Sequence, residues 1–556
     1  MGFRIRHLDH LGRDRGREGG SFAVLAGHGE VATHELAELA AQCQSEACPS
    51  VFFRRRGIGL GEGLNRSSRK AREALLRYRN TLPRGWRMNL RQNTVKMMIC
   101  RLRCLVAALI SAFLSHGKLQ ATPAMALQVN MQCTACHTEF PILNDFGRSF
   151  KLGGYTRATD DSALPPISFM MIPGFTHTQA GVPGGAAPRY AENNNFSLGS
   201  ASLFYTGRLF GPYADKIASD GIAEYLNKVG VFYQHTYDFV ERSWHWDNVE
   251  IRYADTGKFF NIPVKYGVYA NNNPTLQDPW NTLSAWGFPF NSSPLASTPA
   301  ASLIMDSVFS QQVVGAGAYA LVNNSFYFDA ALYHTLGAGF QKTLGIDSTD
   351  QSQIPNLAPY WRAAYTVQDE TGSDSWAIGT HGMFAETYPL RVSSAGKDQA
   401  LDVGVDTQYQ TMYGNNDLLA MLAWTHETQM LNASKALDLA SNSSNNLWKG
   451  TATFQLLHDK TYGFSGQYFV TDGTRDANKY AESVNGSPLS DGIILEADWL
   501  PLNKSGGPSF WPRTGVKFSL QYVLYNRFNG ARYNYDGQGT SASANNTVYL
   551  SAWINF

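Results

Sequence analysis

The sequence predicts an all-β fold: a transmembrane antiparallel β-barrel of about sixteen strands, with a short, mainly helical N-terminal segment inside it or at its periplasmic mouth. Three observations predict it. After residue 166, apolar and polar residues alternate in runs broken by Gly- and Asn-rich loops, with no long helical period. Tight turns such as Asn323-Asn324 and Asp459-Lys460 take turns with long connections such as 271–311, 336–357 and 526–545. The chain also ends on an aromatic strand closing at Phe556, a common ending for exported outer-membrane barrels.

From the N-terminus, residues 1–96 are Arg-rich and carry no sustained apolar period. Arg101 and Arg103 then precede the apolar run 104–114, and Ala124-Met125-Ala126 follows. A basic stretch, an apolar core and a small-residue site make a secretory signal peptide over 97–126, with cleavage expected after Ala126. The apolar run is too short for a membrane helix, which takes about 20 residues. A signal peptide belongs near a translation start. Met88, Met97 or Met98 is therefore the expected start and 1–96 an over-extended reading frame, the alternative being a genuine basic leader. The whole chain has a formal charge of +1, but residues 127–556 carry −11. An acidic exported protein is ill suited to nucleic acid and well suited to cations.

Of the six cysteines, only Cys133 and Cys136 lie beyond residue 126, so the exported chain is not a disulfide scaffold. They stand in Cys133-Thr134-Ala135-Cys136-His137, the C-x-x-C-H pattern of c-type haem attachment. In that chemistry the two thiolates add across the haem vinyl groups and the adjacent imidazole coordinates the iron from one face. Cys133 and Cys136 are then the thioether residues, and His137 is the proximal ligand of one covalently bound haem c. A redox dithiol needs a thioredoxin-like βαβ setting, and a zinc site needs further Cys or His at ligand spacing. The sequence offers neither. The haem segment, 127–166, is about forty residues long, too short to bury a haem by itself, so it must pack against something else. Phe140, Phe146 and Phe150 are the candidate apolar contacts, equally compatible with a small helical cluster. The sixth ligand stays open among Met131, Met170, Met171 and His177; Met or His there sets the potential differently.

Residues 167–556 form the porin-like barrel. Leu401, Val403, Val405, Thr407 and Tyr409 alternate with Asp402, Gly404, Asp406, Gln408 and Gln410, and Val548 through Phe556 repeats the scheme. Counting such runs from 167–178 to 546–556, with the fourth at 245–254, gives sixteen strands. Short inner turns and long outer loops place both termini on the periplasmic side. Trp244, Trp246, Trp376, Trp424 and Trp499 are expected at strand ends, where interface girdles lie. Two inner connections are long: 208–227, where Ile217-Ala218 and Ile222–Leu226 indicate a short helix, and 501–513. Sixteen strands enclose a lumen of channel width, wide enough to receive the N-terminal segment.

The motif at 133–137, the segment Phe146-Gly147-Arg148-Ser149-Phe150-Lys151-Leu152-Gly153-Gly154-Tyr155 and the barrel behind them together resemble a known family. These are the fused outer-membrane cytochrome–porins of iron-oxidising bacteria. Phe175-Thr176-His177-Thr178 is similar too, and the rest of 127–556 is a generic match. The resemblance implies a monohaem protein of the outer membrane with an Fe(II):cytochrome c oxidoreductase-like activity. Such a protein oxidises extracellular Fe(II) and passes the electrons to a periplasmic carrier, usually a soluble cytochrome c. Acidic residues that would draw Fe(II) in are Asp347, Asp350, Asp402, Asp406, Glu496 and Asp498, set against the plainer reading of solvated loops and a porin's charged lumen. Two alternatives use the same residues: a conduit for a different extracellular redox partner, and a solute porin plugged by the haem segment.

Overall fold

The computed structural model describes residues 124–129, 131, 133–158, 167–345, 351–370, 372–503 and 514–556. The basic stretch 1–96 and most of the expected signal peptide lie outside them, and the expected cleavage after Ala126 falls within the helix Ala124–Val129.

Antiparallel pairing closes one sheet on itself. The first strand has two parts, Ile167–Met171 and Gly174–Thr178, which both pair with the last strand: Met170 opposite Asn555, and Gly174 opposite Ser551. The second strand is likewise Asn195–Ser197 and Ser200–Arg208. The break has a sequence cause. Pro173 has no N–H for the ladder, and across from it Gly199 sits at φ +59°, where a Cβ would lie 2.4 Å from the carbonyl oxygen of Ile172. Then follow Val229–Asp238, Ser243–Phe259, Ile262–Asn271, Val313–Val322, Phe326–Thr335, Ala358–Gln368, Ser375–Thr387, Asp398–Tyr413, Asn416–Met430, Ser444–His458, Tyr462–Gly473, Ser490–Trp499, Gly515–Arg527 and Thr547–Asn555. The eighteen paired segments are thus sixteen strands, as the alternation predicts.

The fourth strand runs on to Phe259 instead of stopping at 254. Its hairpin closes at Phe260-Asn261, both at positive φ (47° and 63°). Such turns match the twist of the flanking strands, so pairing continues through the polar stretch 255–258 up to the turn. Asn323-Asn324 and Asp459-Lys460 are turns of the same kind. The helices Ala214–Ile217 and Asp220–Leu226 occupy the long inner connection near 208–227. Most of 501–513 lies outside the described residues.

The outer wall is apolar and the lumen polar. Val405 is 52 % exposed, whereas Asp402 and Asp406 on the same strand are 0 % and 5 % exposed. Closure leaves no unpaired sheet edge, so the backbone of such a wall is satisfied in lipid. Trp244, Trp376 and Trp499 stand exposed near strand ends; Trp424 is exposed but part-way along its strand. Trp246 departs from the girdle, half-buried with its indole N–H donating to the carbonyl of Gln311 at 3.1 Å.

Two pieces of chain fill the lumen. One is the connection 272–312, which sequence reading places among the outer loops and which folds inward across the barrel. Asp278 meets Arg362 at 3.3 Å, the Thr282 hydroxyl donates to Asp406 at 3.1 Å, and the Met305 N–H donates to Asp402 at 3.1 Å. Towards the seam of the barrel, Gln521 donates to the carbonyl of Asn291 at 3.0 Å, and the hydroxyls of Ser293 and Thr176 lie 2.7 Å apart. The other is the N-terminal segment. Its helix Asp145–Leu152 starts on Asn144, whose side chain accepts the N–H of Gly147 at 3.0 Å, an N-cap that satisfies one orphan donor. Arg148 donates to Ser375 at 3.0 Å, Arg252 donates to the Lys151 carbonyl at 3.0 Å, and Tyr155 donates to Glu250 at 2.9 Å. The segment is therefore tied to strands on different sides of the lumen.

Candidate functional site

Residues Cys133–Ala135 form one helical turn, and the N–H groups of Cys136 and His137 both donate to the Cys133 carbonyl, at 3.2 and 3.1 Å. Asn144 clamps this turn: its side chain donates to the Ala135 carbonyl at 3.0 Å, and its N–H donates to the Cys136 carbonyl at 3.0 Å. The following helix packs so closely that a Cβ on Gly147 would lie 2.2 Å from the Cys136 carbonyl oxygen. Only glycine permits that approach.

Cys133, Cys136 and His137 all border a cavity of about 530 Å³, within the usual range of cofactor sites. Phe140 and Phe150 contribute from the segment, Phe204 and Phe232 from the barrel wall, and Trp286 and Phe290 from the inward loop. Burial pushes both thiols up to about 11, with the neighbouring Cys133 adding to the effect on Cys136 and a backbone hydrogen bond partly offsetting it at Cys133. A reactive dithiol has a lowered thiol pKa; these have the opposite. Burial pulls His137 down to about 4, against the carbonyls of Ile142 and Pro141. These carbonyls do not meet hydrogen-bond geometry at Nδ1, which is buried without a partner among the described residues. At neutral pH the imidazole is uncharged, the form that binds a metal. Two adjacent thiols, a neutral imidazole and an aromatic-lined cavity fit a haem c: Cys133 and Cys136 would hold it covalently and His137 would face its iron.

Of the expected aromatic contacts, Phe140 and Phe150 line the cavity. Phe146 does not: it is half-buried, with the guanidinium of Arg157 4.8 Å above its ring. The four candidates for the far ligand separate by strand parity and exposure. Met131 is 43 % exposed. His177 points outward, with its Nδ1 2.8 Å from the side-chain oxygen of Asn194. Met171 is half-buried on the outward face, while Met170 is buried on the lumen face and lines the cavity.

None of the acidic candidates described lines the cavity. Asp406 is held by Arg362 at 2.7 and 2.9 Å, with His381 at 3.2 Å, and Asp402 caps the inward loop. Glu496 and Asp498 come together with Glu139, their carboxylate oxygens within 4.8 Å of one another. The Lys517 ammonium sits among the three at 3.2 to 3.8 Å, so the cluster reads as an ion network around a lysine. Asp347 and Asp350 lie outside the described residues. The carboxylate that does line the cavity is Asp247. Sequence reading misses it because the register slips between Tyr233 and His235, so that Asp247 and Asn248 both enter the lining; bulges re-aim side chains in this way.

No protein-family model matches the sequence, and no curated protein matches it. Among solved structures, Salmonella typhi OmpF in complex with daunomycin aligns over 70 % of this chain and 97 % of its own, at 11 % identity and a TM-score of 0.39. Pseudomonas putida OprB aligns over 70 % and 94 %, at 10 % identity and 0.38. The outer-membrane channel DcaP of Acinetobacter baumannii aligns over 70 % and 96 %, at 10 % identity and 0.37. Likeness at this level carries no argument by itself. The closed ladder, the apolar outer wall and the polar lumen do, and by them the chain is a porin-like barrel of the outer membrane.

Proposed function

We propose that this barrel is an outer-membrane electron conduit that oxidises extracellular Fe(II) through one c-type haem and delivers the electrons to a periplasmic carrier. The observation that carries the reading is the seat of the C-x-x-C-H turn: inside the barrel, on an aromatic cavity lined by the N-terminal segment, the inward loop and the barrel wall. When bound, a haem c would supply one-electron transfer, with Fe(II) outside left as Fe(III) and the electron passed to the periplasmic acceptor.

The chain's own residues supply the rest. Cys133 and Cys136 would fix the group at one place in the lumen, and His137 would offer an uncharged imidazole to its iron. Phe140, Phe150 and Phe232 keep water from the apolar faces of the cavity. Loop 272–312 lies across the lumen, so a wide pore becomes an insulated passage for electrons rather than for solutes. The net acidity of residues 127–556 favours the approach of a cation over an anion.

Mixing the purified, oxidised protein with Fe(II) and following haem absorbance tests the reading. Rapid reduction by Fe(II), together with slow solute entry into liposomes carrying the protein, is expected. Slow reduction by Fe(II) with rapid reduction by another donor would replace iron with that donor. Free solute passage without covalent haem would leave a porin.

A further inference from the structure

We propose that Met170 supplies the second axial ligand, opposite His137, to the haem of this site; the inference rests on the haem reading above. Four observations carry it. Met170 and His137 border the same cavity. In the segment Ile167–Met171, Ile167 and Phe169 are 40 % and 47 % exposed, Phe169 also touching the edge of the cavity, while Met170 is 8 % exposed and turned to the lumen. Its backbone is held on both sides, paired with Ser202 on one strand and Asn555 on the other. A ligand mounted on paired strands is held more rigidly than one on a loop. Finally, the wall next to it leads back to the proximal residue: Asn555 and Trp553 line the cavity, Trp553 meets Phe140 at 5.7 Å between ring centroids, and Phe140 meets His137 edge-on at 6.4 Å.

The other donors on the cavity are less suited: the Asp247 carboxylate accepts from the Thr236 hydroxyl at 2.9 Å, and the Tyr155 hydroxyl donates to Glu250 at 2.9 Å. Lys151 is engaged with the carbonyls of Leu276 and Asp278 and the side chain of Asn281, at 2.6 to 3.0 Å. Met125 packs against the cluster of Val129, Phe150 and Tyr155 and precedes the expected cleavage after Ala126. A thioether donor opposite a histidine raises the reduction potential of a haem. That would suit an acceptor for Fe(II).

The experiment uses the purified full barrel. Haem-stained denaturing gels count covalent haem without reference to axial ligation, and heat-modified gel mobility checks that each variant is folded. The oxidised wild type is expected to show the near-infrared charge-transfer band of a methionine-ligated ferric haem. Met170→Ala should lose that band and let the reduced form bind carbon monoxide. Met125→Leu, Met131→Ala and Met171→Ala should keep it. Met170→His should stay six-coordinate and low-spin with a lower midpoint potential. A wild type without the band, a band that survives Met170→Ala, or one lost in Met125→Leu would each overturn the assignment while the haem count still supported the conduit. Absence of covalent haem would overturn both. Should Met170→Ala fail to fold, the potential of Met170→His decides: no change would sink the proposal.

Discussion

The ammonium of Lys517 lies 3.2 Å from the carboxylate of Glu139, joining the next-to-last strand to a residue just past the C-x-x-C-H turn. Glu496 and Asp498 share the same ammonium at 3.3 and 3.8 Å, and all four side chains are buried. Removing the cation from such a group leaves uncompensated buried charge, at a cost of about 3–5 kcal/mol. Lys517→Ala should therefore loosen the N-terminal segment, read as faster proteolysis within 133–158 and an earlier unfolding transition in denaturant. Lys517→Met combined with Glu139→Gln should recover part of the loss. Proteolysis equal to wild type in Lys517→Ala would show that the segment is seated by other contacts.

Gly147 is expected to be intolerant. An added methyl would meet the Cys136 carbonyl oxygen at 2.2 Å, and the clash is with backbone, which has little room to yield. Overpacking of this kind costs about 1–3 kcal/mol. Gly147→Ala should lower the covalent haem per folded barrel on stained gels. Gly221→Ala, in the helix Asp220–Leu226, has nothing within 4 Å of the added carbon and should leave the haem content unchanged.

The inward loop is fastened at Asp278, which meets Arg362 at 3.3 Å and accepts the N–H groups of Trp280 and Thr282 at 3.1 and 2.9 Å. Asp278→Ala should free this end of the loop and raise ion conductance in planar bilayers above that of the wild type. Equal conductance in the two proteins would mean that the N-terminal segment alone blocks the lumen.

Acid should loosen the outer end of the barrel through Asp476, in the loop 474–489. Burial by itself would raise its pKa. The N–H groups of Ser441, Lys479 and Asn442 and the side chain of Asn445, at 2.7 to 3.0 Å, outweigh that and hold it at about 2. A carboxylate whose pKa is lower folded than unfolded contributes stability that is complete above the unfolded value, about 3.9. That contribution fades as pH falls towards the folded value. Amide exchange at Ser441 and Lys479, corrected for intrinsic rates, should accelerate over this window in the wild type. In Asp476→Asn it should be fast at all pH; a pH-dependence that persists in this variant would assign the effect to another group.

What could be read in the sequence was local. Strand number follows from period-two runs such as 401–410, because each strand has one lipid face and one lumen face. The C-x-x-C-H turn depends only on spacing. The inward course of 272–312 depends on Asp278 finding Arg362 and on Thr282 finding Asp406, partners far along the chain that no periodicity reveals. Asp247 was hidden by the register slip opposite Tyr233 and His235, which breaks the parity rule the reading relied on. Met170 was among the candidates, and its strand was read as one run over 167–178; the interruption at Pro173, which splits that run, was not.

Phe140 also packs on Leu457, Leu500 and Trp553, and Glu139 meets Lys517, so this one end of the N-terminal segment finds its partners in the last third of the chain. That end, synthesised among the first of this region, thus waits for the last. The contacts of Glu139 with Lys517 and of Phe140 with Trp553 form only once the final two strands have been made, and those strands complete the wall beside the first one. Seating the segment and sealing the barrel must therefore be late events in assembly, and anything to be attached to Cys133 and Cys136 has its easiest access before the seal is made.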